Sequence, residues 1–175
     1  MFYFVYGADR PGSLALRYEL TEAHWAYMDG YDAALYARGP VLTADREGIA
    51  GSLHIVDVPS DEAARAFAGE DPYRRGGVFE RVDVYRFEDR LGRSMWEFPG
   101  GDGDRFLVMA LDGEDAPAVE EGLDRLIVYG TLRRLDGGVA GSAACVQGLD
   151  AALRLGGGAG AVVRPWRFGG RPAPG

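Results

Sequence analysis

Apolar and polar positions change period in a regular succession along the chain. Phe2–Tyr6 is a continuous apolar run that reads as a buried strand, and Leu14–Arg38 then carries Leu16, Leu20, Ala23, Tyr27 and Ala34 at helical spacing. Gly12-Ser13 offers that helix a start, and Gly39-Pro40 a stop. Val41–Ala44 and Ile49–Val58 read as strands joined through Asp45–Gly48, a hairpin. Ser60-Asp61-Glu62 caps a second helix over Ala63–Ala68, and Val78–Phe87 reads as the last strand. The order is β-α-β-β-α-β, the split ferredoxin-like unit.

A second copy of this plan follows. Gly48-Ile49-Ala50-Gly51-Ser52 recurs as Gly138-Val139-Ala140-Gly141-Ser142, and the Gly39 that ends Leu35–Arg38 matches the Gly130 that ends Leu126–Tyr129. The pattern predicts strands over 106–111, 131–135, 139–146 and 160–167, with helices over 115–128 and 148–154. Residues 89–104, with Pro99-Gly100-Gly101-Asp102-Gly103-Asp104, read as a linker whose Met95-Trp96-Glu97-Phe98 stretch lies along the surface. The expected domains are therefore 1–88 and a shorter, degenerate 105–170. A unit this small buries only ~60% of its unfolded-state surface and leaves one sheet face bare. The fold class expected is α+β: two ferredoxin-like βαββαβ units packed sheet to sheet as an intramolecular pseudo-dimer.

Composition narrows the function. The 175 residues are 47% hydrophobic and 26% charged, as in an ordinary globular protein. With 27 acidic against 19 basic residues and a net charge of −8, the surface repels phosphate backbones, so no nucleic-acid partner is expected. Every basic residue is arginine, which excludes a Schiff-base lysine and a P-loop lysine. Cys145 is the lone cysteine, and His24 and His54 are the only imidazoles, in no metal-ligand spacing, so no metal is expected. Apolar runs are too short to cross a bilayer and the first residues lack a basic leader, so a cytoplasmic location without a membrane partner is expected.

Four features carry candidate chemistry. Arg17, Thr21, His24 and Met28 share one helix stripe, which read locally is as good a solvated face as a site. Asp71 precedes Pro72 and Tyr73, a step that ends a helix and throws the carboxylate outward. Gly51-Ser52 within a strand marks either close approach of a ligand or a bulge. His54 alternates with Leu53 and Ile55, so it shares a face with Ser52 and Val56, either as a core histidine or as a ligand contact. Cys145, in an apolar strand, reads as a packed thiol.

Taken together, Asp9-Arg10-Pro11-Gly12, Arg17, His24, Arg38-Gly39-Pro40, Gly51-Ser52, Asp71-Pro72-Tyr73 and Gly76 resemble the YciI-like (YCII-related) family over residues 1–88. The second half resembles it through its plan, Gly130 and Gly141-Ser142. The resemblance implies a dimeric α/β barrel, two sheets facing each other around a pocket, and a catalytic pair of His24 and Asp71. It implies a cofactor-independent acid–base enzyme of isomerase, cyclase or lyase type, acting on a small aromatic or enolisable molecule. Arg17, Ser52, Tyr73 and His54 are the substrate-binding candidates. The second half has no histidine at the matching place, so one site per chain, built by the first half, is expected. The alternative is a non-catalytic small-molecule-binding or scaffolding protein. The partners expected are a small-molecule substrate and, beyond the pseudo-dimer, a further copy of the chain.

Overall fold

A computed structural model describes residues 1–118, 122–158 and 160–171. The first half runs β1 (Phe2–Asp9), α1 (Leu14–Asp29), β2 (Leu35–Leu42), β3 (Ile49–Asp57), α2 (Asp61–Glu70), α3 (Pro72–Arg75) and β4 (Phe79–Asp89). The second runs β5 (Arg105–Ala110), β6 (Leu126–Arg133), β7 (Val139–Gln147), α4 (Leu149–Leu155) and β8 (Val162–Trp166). The eight strands pair antiparallel in the order β1-β3-β2-β8-β5-β7-β6-β4, and β4 returns to β1 to close a barrel. Among the described residues each strand thus has a paired neighbour on both sides. No helix among the described residues is long and apolar enough to cross a membrane.

The two halves meet along two seams, β2 with β8 and β4 with β6. Each seam carries one of the matched glycines. A side chain on Gly39 would collide with the carbonyl oxygen of Arg167, and one on Gly130 with that of Glu88. Close backbone approach therefore demands glycine at both places.

Inward-facing Phe4, Leu53, Ile55, Phe87, Leu107 and Ile127 fill the barrel. Burying an aliphatic or aromatic side chain this completely contributes ~1.5–3 kcal/mol each. The interior of the barrel is thus lined by apolar side chains. Outside the barrel, α1 and α2 pack Met28, Ala64 and Phe67 onto Val5, Val56 and Leu35.

Three element readings need correction. The helix expected over Leu14–Arg38 ends at Asp29, and Leu35–Leu42 is a strand in which every second residue is buried. The helix expected over 115–128 is not seen among the described residues, with 119–121 lying outside them. There Ala116 N–H donates to Thr131 Oγ1 at 3.0 Å and Tyr129 Oη–H to the Pro117 carbonyl at 2.7 Å, which holds the segment as a loop across β6. Finally, Met95 does not lie on the surface: its side chain plugs the barrel, while Trp96 Nε1–H donates to the Leu35 carbonyl at 3.0 Å.

Candidate functional site

The buried stripe of α1 is Arg17, His24 and Met28, so two of its three residues are polar. A helix that turns charged groups toward a sheet must find partners for them, since unpaired buried charge is strongly disfavoured. The partners here come from other elements. Arg17 donates to Ser52 Oγ and to the Gly51 carbonyl (3.1 Å) on β3, and to Asp9 Oδ1 (3.4 Å) at the end of β1. Its guanidinium also lies 4.4 Å from the centre of the Tyr73 ring.

Asp71 sits between α2 and α3. Its side chain accepts from the Tyr73 backbone N–H at 2.9 Å, capping α3 with Pro72 in the first helical position. The same oxygen, Oδ1, lies 2.8 Å from His24 Nδ1. The carboxylate is thus turned inward, not outward, because α1 brings an imidazole within reach. Tyr73, two residues on, stacks on the His24 ring with centroids 4.0 Å apart and planes 13° apart, and its hydroxyl lies 3.1 Å from Thr21 Oγ1. The imidazole is therefore fixed at one nitrogen and over one face.

Electrostatics follow from burial. Burial pushes the Asp71 carboxyl up, but the hydrogen bond and charge of His24, the charge of His54 and the Tyr73 amide together hold it below the usual carboxylate range. His54, whose ring centre is 5.5 Å from that of His24, is driven down to about 3 by burial and then by the neighbouring imidazole. Asp9 is raised to about 6 because burial outweighs the pull of Arg17, and its Oδ2 is buried without a partner among the described residues. Burial raises the Cys145 thiol well above its ordinary value, as suits a packed side chain.

A cavity of about 520 Å³ opens beside these residues. It lies outside the barrel, between α1 and the outward faces of β2 and β3. Arg17, His24, Ser52, His54 and Tyr73 line it, while Asp71 stands behind the His24 ring. The candidate residues thus converge on one place, although Arg17 and Ser52 are engaged with each other. Among the described residues no three of His, Cys, Asp and Glu converge as metal ligands would.

Sequence reasoning missed two contributors. Arg38, opposite His54 in the pairing of β2 with β3, lines the cavity. So does a strap of residues 167–171 from the second half. The strap continues the seam past β8: Arg167 N–H donates to the Pro40 carbonyl and Gly169 N–H to the Arg38 carbonyl. Arg171 then pins it to α1 through Asp29 (2.8 Å) and Glu22 (2.9 Å). The expectation that the first half alone builds the site is corrected accordingly. The matched Gly39 was the signal available, because it marks a backbone crossing without saying which segment crosses.

Comparison with known proteins places these residues in context. A profile of the YCII-related domain matches residues 1–88. Protein YciI of Escherichia coli O6:H1 is 35% identical over 95 residues, which cover 50% of this chain and 97% of that protein. An uncharacterized protein of Haemophilus influenzae is 32% identical over the same shares. Among solved structures, the 5-chloro-2-hydroxyhydroquinone dehydrochlorinase TftG of Burkholderia phenoliruptrix AC1100, in complex with 2,5-dihydroxybenzoquinone, is 33% identical. That match covers 50% of this chain and 94% of that one, with a TM-score of 0.48.

Proposed function

Since the chain belongs to the YCII-related domain family, we propose that it is a cofactor-independent acid–base enzyme acting on a small aromatic or enolisable molecule. The observation that carries this reading is the buried 2.8 Å contact between His24 Nδ1 and Asp71 Oδ1, with the imidazole on the wall of a cavity of about 520 Å³. That volume is in the range of small-molecule sites.

A carboxylate on Nδ1 selects the tautomer with its proton there, leaving the Nε2 lone pair free to accept one. In the proposed step, Nε2 takes a proton from a carbon beside a carbonyl, or from a phenolic hydroxyl. The electron pair released moves onto the substrate oxygen as an enolate or phenolate. Asp71 stabilises the imidazolium that forms. Returning the proton to a different carbon completes an isomerisation, and departure of a leaving group with its electron pair completes an elimination. Such a positioned base contributes typically ~10²–10⁴-fold. Tyr73, stacked on the ring, holds its plane. Arg17, Ser52 and His54 face the substrate. Arg17 acts there chiefly through its charge, since its Nη1 and Nη2 already donate to Asp9, Gly51 and Ser52.

On the same reading the chain is a tandem: a site-bearing unit 1–88, a joining segment 89–104 and a degenerate copy 105–170. The glycines at equivalent places on the two seams favour a shared origin.

The test is proton exchange. The chain is incubated in D₂O with a panel of small ketones, keto acids and hydroxyarenes, and loss of carbon-bound hydrogen is followed by NMR. Exchange faster than in buffer, abolished in His24→Gln, is expected. A panel that exchanges no faster than in buffer, or equally fast with His24→Gln, overturns the proposal. Saturable binding without exchange would assign the chain to the non-catalytic binding proteins.

A further inference from the structure

The charges around the cavity do not balance evenly. Of the carboxylates nearby, Asp9 is taken by Arg17, Asp29 and Glu22 by Arg171, and Asp71 by His24. Arg38 is left with one long contact, 3.4 Å to Asp32, whose side chain is 71% exposed to water. The Arg38 side chain itself is only 13% exposed, and its Nε is buried without a hydrogen-bond partner among the described residues. An arginine this enclosed has given up its hydration without acquiring a full set of acceptors.

The fold keeps it there. Gly39 follows it at the seam, and the strap backbone passes against its guanidinium: a side chain on Gly170 would meet Arg38 Nη2 at 2.6 Å. Trp96 closes another side, with the guanidinium carbon 5.4 Å from the centre of the indole. Across the strand pair Arg38 faces His54, and the His54 ring is 5.5 Å from that of His24. Directly paired residues bring their β-carbons to roughly 5 Å. A cation short of acceptors and the His24 imidazole therefore line one cavity, with His54 paired to the first on the adjoining strand and its ring 5.5 Å from the second.

We propose that the cavity selects a small carboxylate-bearing molecule, whose carboxylate pairs with Arg38 while its other end lies at His24. The planar fork of arginine matches a carboxylate with two parallel N–H donors, which a neutral group of the same shape cannot engage as strongly. The proposal rests on the cavity being a substrate site, but its test needs no turnover. It assigns the anion to Arg38 in preference to Arg17, which already donates to Asp9, Gly51 and Ser52.

The probes are benzoate and its neutral analogue benzamide, titrated calorimetrically into the intact chain. Benzoate is expected to bind about ten- to a hundredfold more tightly, the range of a charge-assisted pair. This preference should fall to within about twofold in Arg38→Gln, and Arg38→Lys should retain part of it. His24→Gln should keep the preference while losing proton exchange, which separates failure of the binding proposal from failure of the catalytic one. A readout that needs no variant is the Arg38 side-chain signal in ¹H–¹⁵N spectra of the wild-type chain, which should shift on adding benzoate and stay in place with benzamide. Benzamide binding as tightly as benzoate, no saturable benzoate binding, an unmoved Arg38 signal, or a preference intact in a folded Arg38→Gln would each overturn the proposal.

Discussion

His54 offers a measurement of how dry the wall of the cavity is. Its imidazole is 4% exposed and sits beside His24 and against Phe67, with ring centres 5.8 Å apart, and burial holds its pKa near 3 in the folded chain. In the unfolded chain the same group titrates at about 6.5. A histidine depressed on folding binds its proton more readily when unfolded, so stability falls as pH drops below about 6.5 and continues to fall until about 3. Linkage gives almost no effect at pH 7.5, and a loss of between about 2 and 3 kcal/mol at pH 4.5. His54→Phe keeps an aromatic ring of similar size and removes the titration. Urea unfolding of wild type and variant should give a stability difference that moves by that amount, in favour of the variant, between the two pH values. Every other group titrates in both chains and so largely cancels. A difference that stays within about 1 kcal/mol across the range would mean that His54 charges freely in the folded state. The cavity wall would then be wet, and the low-dielectric setting assumed for His24 and Asp71 would be gone.

Other perturbations probe the remaining parts. Asp71→Asn keeps an acceptor for the Tyr73 amide but removes the charge facing His24; a stability loss of roughly 1–3 kcal/mol is expected at pH 7, with less of it at low pH, because the depressed carboxyl stabilises the fold only while ionised. Asp9→Asn should change the pH profile in the opposite sense: the raised Asp9 carboxyl favours the folded state when protonated, so wild type should gain on the variant as pH falls from 7 toward 4, read from urea midpoints. Gly39→Ala should cost on the order of 1–3 kcal/mol or more by driving a β-carbon into the Arg167 carbonyl, and should release the strap. Arg171→Ala breaks half-exposed ion pairs worth less than ~1 kcal/mol, so the melting temperature should barely move, while amide exchange at Arg167 and Gly169 should quicken.

How far the sequence foretold this arrangement depended on whether the local pattern was unambiguous. The strands β1, β3 and β4 and the Ser60 cap of α2 were legible because their burial pattern or capping chemistry has one reading. Leu35–Arg38 and Leu126–Val128, which read as the ends of helices, are instead the starts of strands at corresponding points of the two halves. Both are strands entered from residues whose apolar spacing also suits a helix, and it is pairing with β3 and β7 that decides between the two. Arg17 and His24 could be placed on one stripe from spacing alone. That Asp71 faces them required the family resemblance, because nothing local indicates which element an inward carboxylate will meet. Arg38 was hidden by the same misreading, since in a helix it has no fixed relation to His54. The strap was illegible in principle: Arg171 meets Asp29 across 142 residues of sequence, and no short-range pattern encodes such an encounter.

That last contact has a consequence for how the site responds to protein concentration. Where a cavity is roofed by a separate chain, the roof dissociates on dilution and the occupied fraction depends on expression level. Here roof and floor belong to one polypeptide, so their encounter is unimolecular, with an effective local concentration on the order of millimolar for a flexible tether and set by the barrel instead of by the solution. The strap therefore meets α1 as readily at trace abundance as at high abundance. Its closure responds to what loosens the strap, such as salt that screens Arg171 or a protease that cuts between β8 and that residue.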